Sequence, residues 1–189
     1  MNKFKETKKS VKEEISKRKL KKDENGRFVI EMTVKNDDDF LSPFSENETP
    51  VISESVSDFI ENSTISLPLE PLTMKIHSDC IDEKEKELYK KAIKEYYTEC
   101  YISNEKEIRR NYIIAIIMAL VGILMLALSI YFGLSEQMLV AEIIDISAWV
   151  FLWEAVDISI LRNVALRIKR KRYLSYIGMN IEYYKKSEL

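Results

Sequence analysis

The longest stretch without a charged side chain runs from Tyr112 to Leu134, 23 residues rich in Ile, Leu, Met and Ala. At ~1.5 Å per helical residue this is enough to cross a hydrocarbon core of ~30 Å. A core helix of a soluble domain normally keeps a polar stripe, and this stretch has none. Gly133-Leu134-Ser135-Glu136-Gln137 then reads as a tight turn. Gly133 suits the left-handed C-cap position and Ser135 suits the next N-cap. A second apolar helix follows from about Met138 to Leu161, less apolar than the first. The pattern predicts a mainly α membrane protein: a two-helix transmembrane hairpin, with spans at about 112–134 and 138–161, carrying a small cytosolic α+β module.

The module is read from shorter patterns. Apolar and polar residues alternate from Arg27 to Lys35, Leu72 to His77 and Met179 to Tyr184, which predicts three strands. The third could pair with Leu72–His77 and bring the two ends of the hairpin together. Asp82-x-x-Glu85 has the form of a capping box. Behind it Leu88/Tyr89, Ala92/Ile93, Tyr96/Tyr97 and Cys100/Tyr101 recur every four residues, the stripe of a packed helix. Ser103-Asn104 predicts a break before the membrane. Residues 40–71 hold all four prolines and many Ser, Asn and acidic residues, so loop or disorder is expected. Two islands interrupt it: Phe40-Leu41-Ser42-Pro43-Phe44, and a short helix capped by Ser53. Arg162 to Tyr176 reads as a basic helix along the inner surface, ended by Gly178. The implied divisions are 1–25 (basic tail), 26–71 (strand and acidic linker), 72–110 (strand and Tyr-rich helix), 111–161 (hairpin) and 162–189 (basic helix and strand).

Placed on a wheel at 100° per residue, Asp145, Trp149, Trp153 and Asp157 fall within about 60° of Glu142, and Glu154 lies about 120° away. The opposite side repeats Ala141, Ala148 and Ala155. The first span offers Ala115, Ala119 and Gly122 as a counterpart, a small-residue seam that allows close approach. The acidic, Trp-bearing face then points away from the first span. A carboxylate near the bilayer centre costs roughly 2.5–3.5 kcal/mol on insertion scales, less toward the ends. The face therefore packs against protein, lines a water-filled path, or lies shallow among headgroups. Trp149 and Trp153 near mid-span favour packing.

Charge sets the orientation. Arg109 and Arg110 precede the first span, and Arg162, Arg167, Lys169, Arg170, Lys171 and Arg172 follow the second. The turn has no Lys or Arg. The positive-inside rule then places both termini in the cytosol, with those cations against the inner leaflet. The net charge of −2 hides segregation: residues 1–25 hold ten Lys/Arg against five acids, and 26–80 hold three against eleven. The basic tail suits an anionic membrane surface or a solvated tail. Nucleic-acid binding is unlikely beside so acidic a neighbour. No apolar run marks a signal peptide near residue 1.

Catalytic and cofactor signatures are not recognisable. The four glycines are scattered, His77 is the single histidine, and Cys80 and Cys100 lack metal or redox spacing. No cofactor and no enzyme activity are expected, and both thiols should be free in the cytosol.

The run Ala148-Trp149-Val150-Phe151-Leu152-Trp153-Glu154-Ala155-Val156-Asp157 with its basic sequel, together with Phe40 to Ile60, resembles uncharacterised two-span membrane proteins of Gram-positive anaerobic bacteria. The resemblance implies a bacterial plasma-membrane location and supplies no catalytic residue. The function expected is a membrane-anchored structural or interaction module, partnered by the bilayer and by a second copy or another membrane protein. The alternative is a small permeabilising effector or cation channel gated by the module. A tethered enzyme is a weaker third.

Overall fold

The computed structural model describes residues 21–45 and 49–185, together with residues 6, 7 and 10. The basic tail expected over residues 1–25 lies largely outside these. Within the described chain one compact unit takes in the residues up to Tyr96 and from Ser175 onward, and a second comprises Tyr97–Leu174.

The first unit is built on three strands, β1 (Phe28–Thr33), β2 (Leu72–His77) and β3 (Asn180–Tyr184). They form one sheet in the order β1-β2-β3, parallel throughout, with Ile30 opposite Met74 and Met74 opposite Ile181. Alternation decides which face is buried. Phe28, Ile30 and Met32 of β1 and Leu72, Met74 and Ile76 of β2 form the core side. Thr73, on the opposite side of β2, is also fully buried. Its hydroxyl donates to the Asp23 carboxylate at 2.7 Å, and the backbone N–H groups of Asn25 and Arg27 donate to the same side chain. These bonds, Thr73's foremost, hold the Asp23 carboxyl below its ordinary range. Gly26 takes a left-handed φ of 76° in this turn, which a side chain would resist.

The acidic, proline-containing stretch is more ordered than its composition suggests. Phe40 is buried and stacks on Tyr89 with ring centroids 4.2 Å apart. Leu41 bridges Ile52, and α1 (Glu54–Thr64) adds Val56 and Ile60 to the core. Phe44 of the same island stays exposed. Ser53 occupies the N-cap of α1, but its hydroxyl meets Ser55 at 2.8 Å and caps no backbone group. Tyr89 donates its hydroxyl to Asp37 at 3.0 Å, and burial together with that carboxylate pushes the phenol well above its usual range.

Helix α2 (Glu83–Leu134) opens with the expected capping box. The Asp82 carboxylate accepts from the N–H groups of Lys84 and Glu85 at 2.8 Å each, and Glu85 accepts from the Asp82 N–H at 2.7 Å. The break expected at Ser103-Asn104 does not occur: α2 runs unbroken for 52 residues, a rise of roughly 80 Å. Asn104 caps nothing; its amide donates to the Leu166 carbonyl at 3.0 Å. An Asn inside a helix costs only ~0.7 kcal/mol, which a buried tertiary hydrogen bond offsets.

The turn also differs in detail. Glu136, not Gly133, carries the left-handed φ, at 63°. The Phe132 carbonyl accepts from both Ser135 and Gln137, so the helix closes one turn before the reversal. Ser135 does not cap the next helix, because its hydroxyl bonds back to the Tyr131 carbonyl at 3.0 Å.

The second helix does not end at Leu161. After α3 (Met138–Val156) a single π-helical segment, Asp157–Arg162, leads directly into α4 (Asn163–Ile177). Nor does α4 lie as a separate helix along a surface. It packs antiparallel on α2 within the second unit, with Arg170 on Glu105 at 3.0 Å and the Tyr173 ring 6.2 Å from that of Tyr97. Asn163, Leu166, Arg170 and Tyr173 are spaced three and four apart, so one face of α4 meets α2 continuously.

Connectivity makes the helices an insertion. β2 and β3 are parallel neighbours, although α2, α3 and α4 all lie between them in sequence. Parallel strands need a crossover connection, and here the whole helical excursion supplies it.

Candidate functional site

The residues singled out by the sequence lie in the second unit, where α3 returns along the C-terminal half of α2. The small residues are at the contact. Ala115, Gly122, Ala148 and Ala155 are buried, whereas Ala119 and Ala141 are half-buried. Gly122 is the tightest point: a Cβ built there would lie 2.8 Å from Leu152 Cγ and 3.2 Å from the Ala148 carbonyl oxygen. Nearer the turn, Ser129 donates to the Ala141 carbonyl at 2.9 Å.

The other side of α3 is uncovered. Trp149 is 61% and Trp153 70% exposed, and Glu142 is exposed beside them. Asp145, rotated toward α2, is half-buried. A cluster of exposed aliphatic residues continues around both helices, including Ile116, Leu120, Ile123 and Leu124 on α2 and Ile143 and Ile146 on α3. Only 11% of the most apolar window of α2 is buried. A soluble core helix would be mostly covered, and so large an apolar surface needs a partner phase or protein.

Among the described residues one helix, α2, is long and apolar enough to cross a membrane by length and composition. The expected pair of spans is thus supported for the first helix only. α3 is 19 residues long, but Glu142, Asp145 and Glu154 fall within it.

The four acids do not form one face. Arg162 clasps the last two, donating from Nη2 to Glu154 at 2.6 Å and from Nε to Asp157 at 2.8 Å. In a regular α-helix residues five apart lie about 140° apart on the wheel. The π segment Asp157–Arg162 widens one turn and brings Asp157 and Arg162 together. Arg162 was expected to face lipid headgroups; its first partners are these carboxylates. Arg170, expected there too, pairs with Glu105. Arg109, Arg110, Arg167, Lys169 and Lys171 are exposed, and Arg172 is half-buried.

Sequence reasoning passed over Asn111 and Asn163. Asn163 is fully buried, accepts from the Asn111 amide at 2.9 Å, and donates to the Ser159 carbonyl at 3.3 Å. That carbonyl belongs to the π segment, so the pair ties the widened turn to α2. The available signal was positional: one Asn stands just before the uncharged run and the other just after Arg162.

Comparison with family models, with curated proteins and with solved structures finds no match.

Elsewhere the chemistry is sparse. Among the described residues no group of His, Cys, Asp or Glu is placed to hold a metal. Cys80 and Cys100 are not joined in a disulfide. Both ring nitrogens of His77 are buried without a hydrogen-bond partner among the described residues, and the ring stacks on Tyr184 at 5.6 Å. A cleft of about 390 Å³ opens beyond β1 between Val34, Lys35, Phe40, Val56 and Phe59, with mixed walls.

Proposed function

We propose that this chain is a two-span protein of a bacterial plasma membrane, with both ends cytosolic, that presents the outward face of α3 for a protein contact within the bilayer. The first partner to consider is a second copy. The observation that carries this reading is the exposure of Trp149 and Trp153 beside Glu142, opposite a buried small-residue seam. Two flat aromatic anchors flanked by a carboxylate are poorly matched to lipid chains at that depth and well matched to a helix interface.

Three features support the two-span reading. The parallel pairing of β2 with β3 returns both ends of the excursion to one sheet, and hence to one side of any membrane it enters. The turn at Ser135–Gln137 lacks Lys and Arg, whereas both other ends are rich in them. The acids that disqualify α3 on composition are partly compensated, because Arg162 accompanies Glu154 and Asp157. The same clasp weakens the cation-path reading, which relied on four unpaired carboxylates and keeps only Glu142 and Asp145. The resemblance of the Ala148–Asp157 run to bacterial two-span proteins agrees with the location.

The test uses single cysteines in a Cys80→Ser, Cys100→Ser background, in native membranes. Glu142→Cys and Trp149→Cys should give crosslinked dimers, and Ser147→Cys, on the other flank of α3, should give few. Absence of dimers at both face positions, or equal dimer at Ser147→Cys, would rule out self-association through this face.

A further inference from the structure

Resting on the two-span reading, we propose that the corner formed by Arg109, Tyr112 and Arg167 binds the phosphate of an anionic phospholipid. The hydrogen bonds sort the basic residues at this level. Arg162 and Arg170 are committed to carboxylates within the helical pair. Among the described residues Arg167 donates only to the neutral hydroxyl of Tyr112, with its guanidinium carbon 6.0 Å from the centre of that ring. Its charge is therefore held in place with no carboxylate partner among the described residues.

Arg109 adds a second cation. It is exposed, one turn before Tyr112, and the two lie on the same side of α2. Among the described residues it has no carboxylate partner. Guanidinium groups on adjoining helices, one of them already on the Tyr112 hydroxyl, can present several donors to one phosphate; arginine's planar fork suits that geometry.

The surroundings select a lipid over a free phosphate. Tyr112 opens the uncharged run, so the corner stands at headgroup depth, where tyrosine is favoured. One turn deeper on each helix the same sides expose Ile116 and Val164, 59% and 49% accessible, a surface for acyl chains below the cations. Basic pockets between helices at the cytoplasmic boundary are a known mode of anionic headgroup binding.

The full chain is reconstituted in nanodiscs of phosphatidylcholine with a minor fraction of phosphatidylglycerol, and lipids retained on release are counted by native mass spectrometry. Wild type should retain phosphatidylglycerol several-fold over its share of the bilayer. Arg109→Gln with Arg167→Gln should abolish that enrichment, and Tyr112→Phe should reduce it. Lys169→Gln with Lys171→Gln, which removes the same charge, should leave most of it. Equal loss in the two double variants would overturn the proposal in favour of a diffuse basic surface. Displacement of the lipid by soluble glycerol phosphate at matched concentration would overturn the lipid assignment. A chain that enters no nanodisc would overturn the two-span reading itself, and this proposal with it.

Discussion

Replacing Gly122 with isoleucine should destabilise the α2–α3 pair by about 1–3 kcal/mol, the usual cost of forcing extra carbons into a packed contact. The added Cβ would lie 2.8 Å from Leu152 Cγ and 3.2 Å from the Ala148 carbonyl oxygen. Leu152 can rotate away, but the backbone oxygen cannot. Alanine is the weaker test, because leaving glycine in a helix gains up to ~1 kcal/mol of propensity and masks part of the clash. The readout is thermal or SDS-induced unfolding in detergent micelles, followed through Trp149 and Trp153. Adding Leu152→Ala to the isoleucine variant should recover the part of the loss due to the Leu152 side chain and leave the part due to the Ala148 carbonyl, a coupling that only neighbours show. An unchanged transition in Gly122→Ile would mean that the helices do not meet in this register.

A second large effect is expected at the pair of half-buried Asn111 and buried Asn163. Asn163→Leu removes the acceptor of the Asn111 amide and the donor to the Ser159 carbonyl. Leaving a buried polar group unpaired costs about 1–3 kcal/mol, and more than one group is orphaned. Replacing both, Asn111→Leu with Asn163→Leu, should cost less than the sum of the two single losses, since neither side chain then leaves the other's amide unpaired, although the Ser159 carbonyl still loses its donor. The same unfolding assay reads all three variants. Additive losses in the double variant would show that the two side chains do not depend on each other.

The legible parts of the chain were those in which one local rule acted without competition. Leu72–His77 was predicted residue for residue because its alternation is clean and turn-forming residues flank it. The Asp82–Glu85 box was visible because its donors and acceptors all lie within four residues. The seam at Gly122 and Ala148 was suggested by spacing, although Ala119 and Ala141 prove only half-buried.

What escaped was set by contacts distant in sequence. Asn104 looked like a cap because its partner, the Leu166 carbonyl, is 62 residues away. Phe40 looked like an exposed island because Tyr89, which covers it, is far along the chain. The parallel direction of the sheet could not be read from alternation, which carries no strand polarity. Arg162 was grouped with the headgroup cations because a uniform 100° wheel hides the one turn that widens. That widened turn divides the acids into a pair held by arginine, Glu154 and Asp157, and a second pair, Glu142 and Asp145, left beside the tryptophans.

The central claim is that α2 and α3 both cross the membrane, leaving the sheet on one side and the Ser135–Gln137 turn on the other. Single-cysteine accessibility in intact cells tests it most directly, again with Cys80→Ser and Cys100→Ser. Ser135→Cys should react with a membrane-impermeant maleimide added outside. Ser66→Cys, exposed in the sheet-bearing unit, should react only after the membrane is opened. If Ser135→Cys and Ser66→Cys are both protected, or both labelled, in intact cells, the turn and the sheet lie on the same side and the two-span account is wrong.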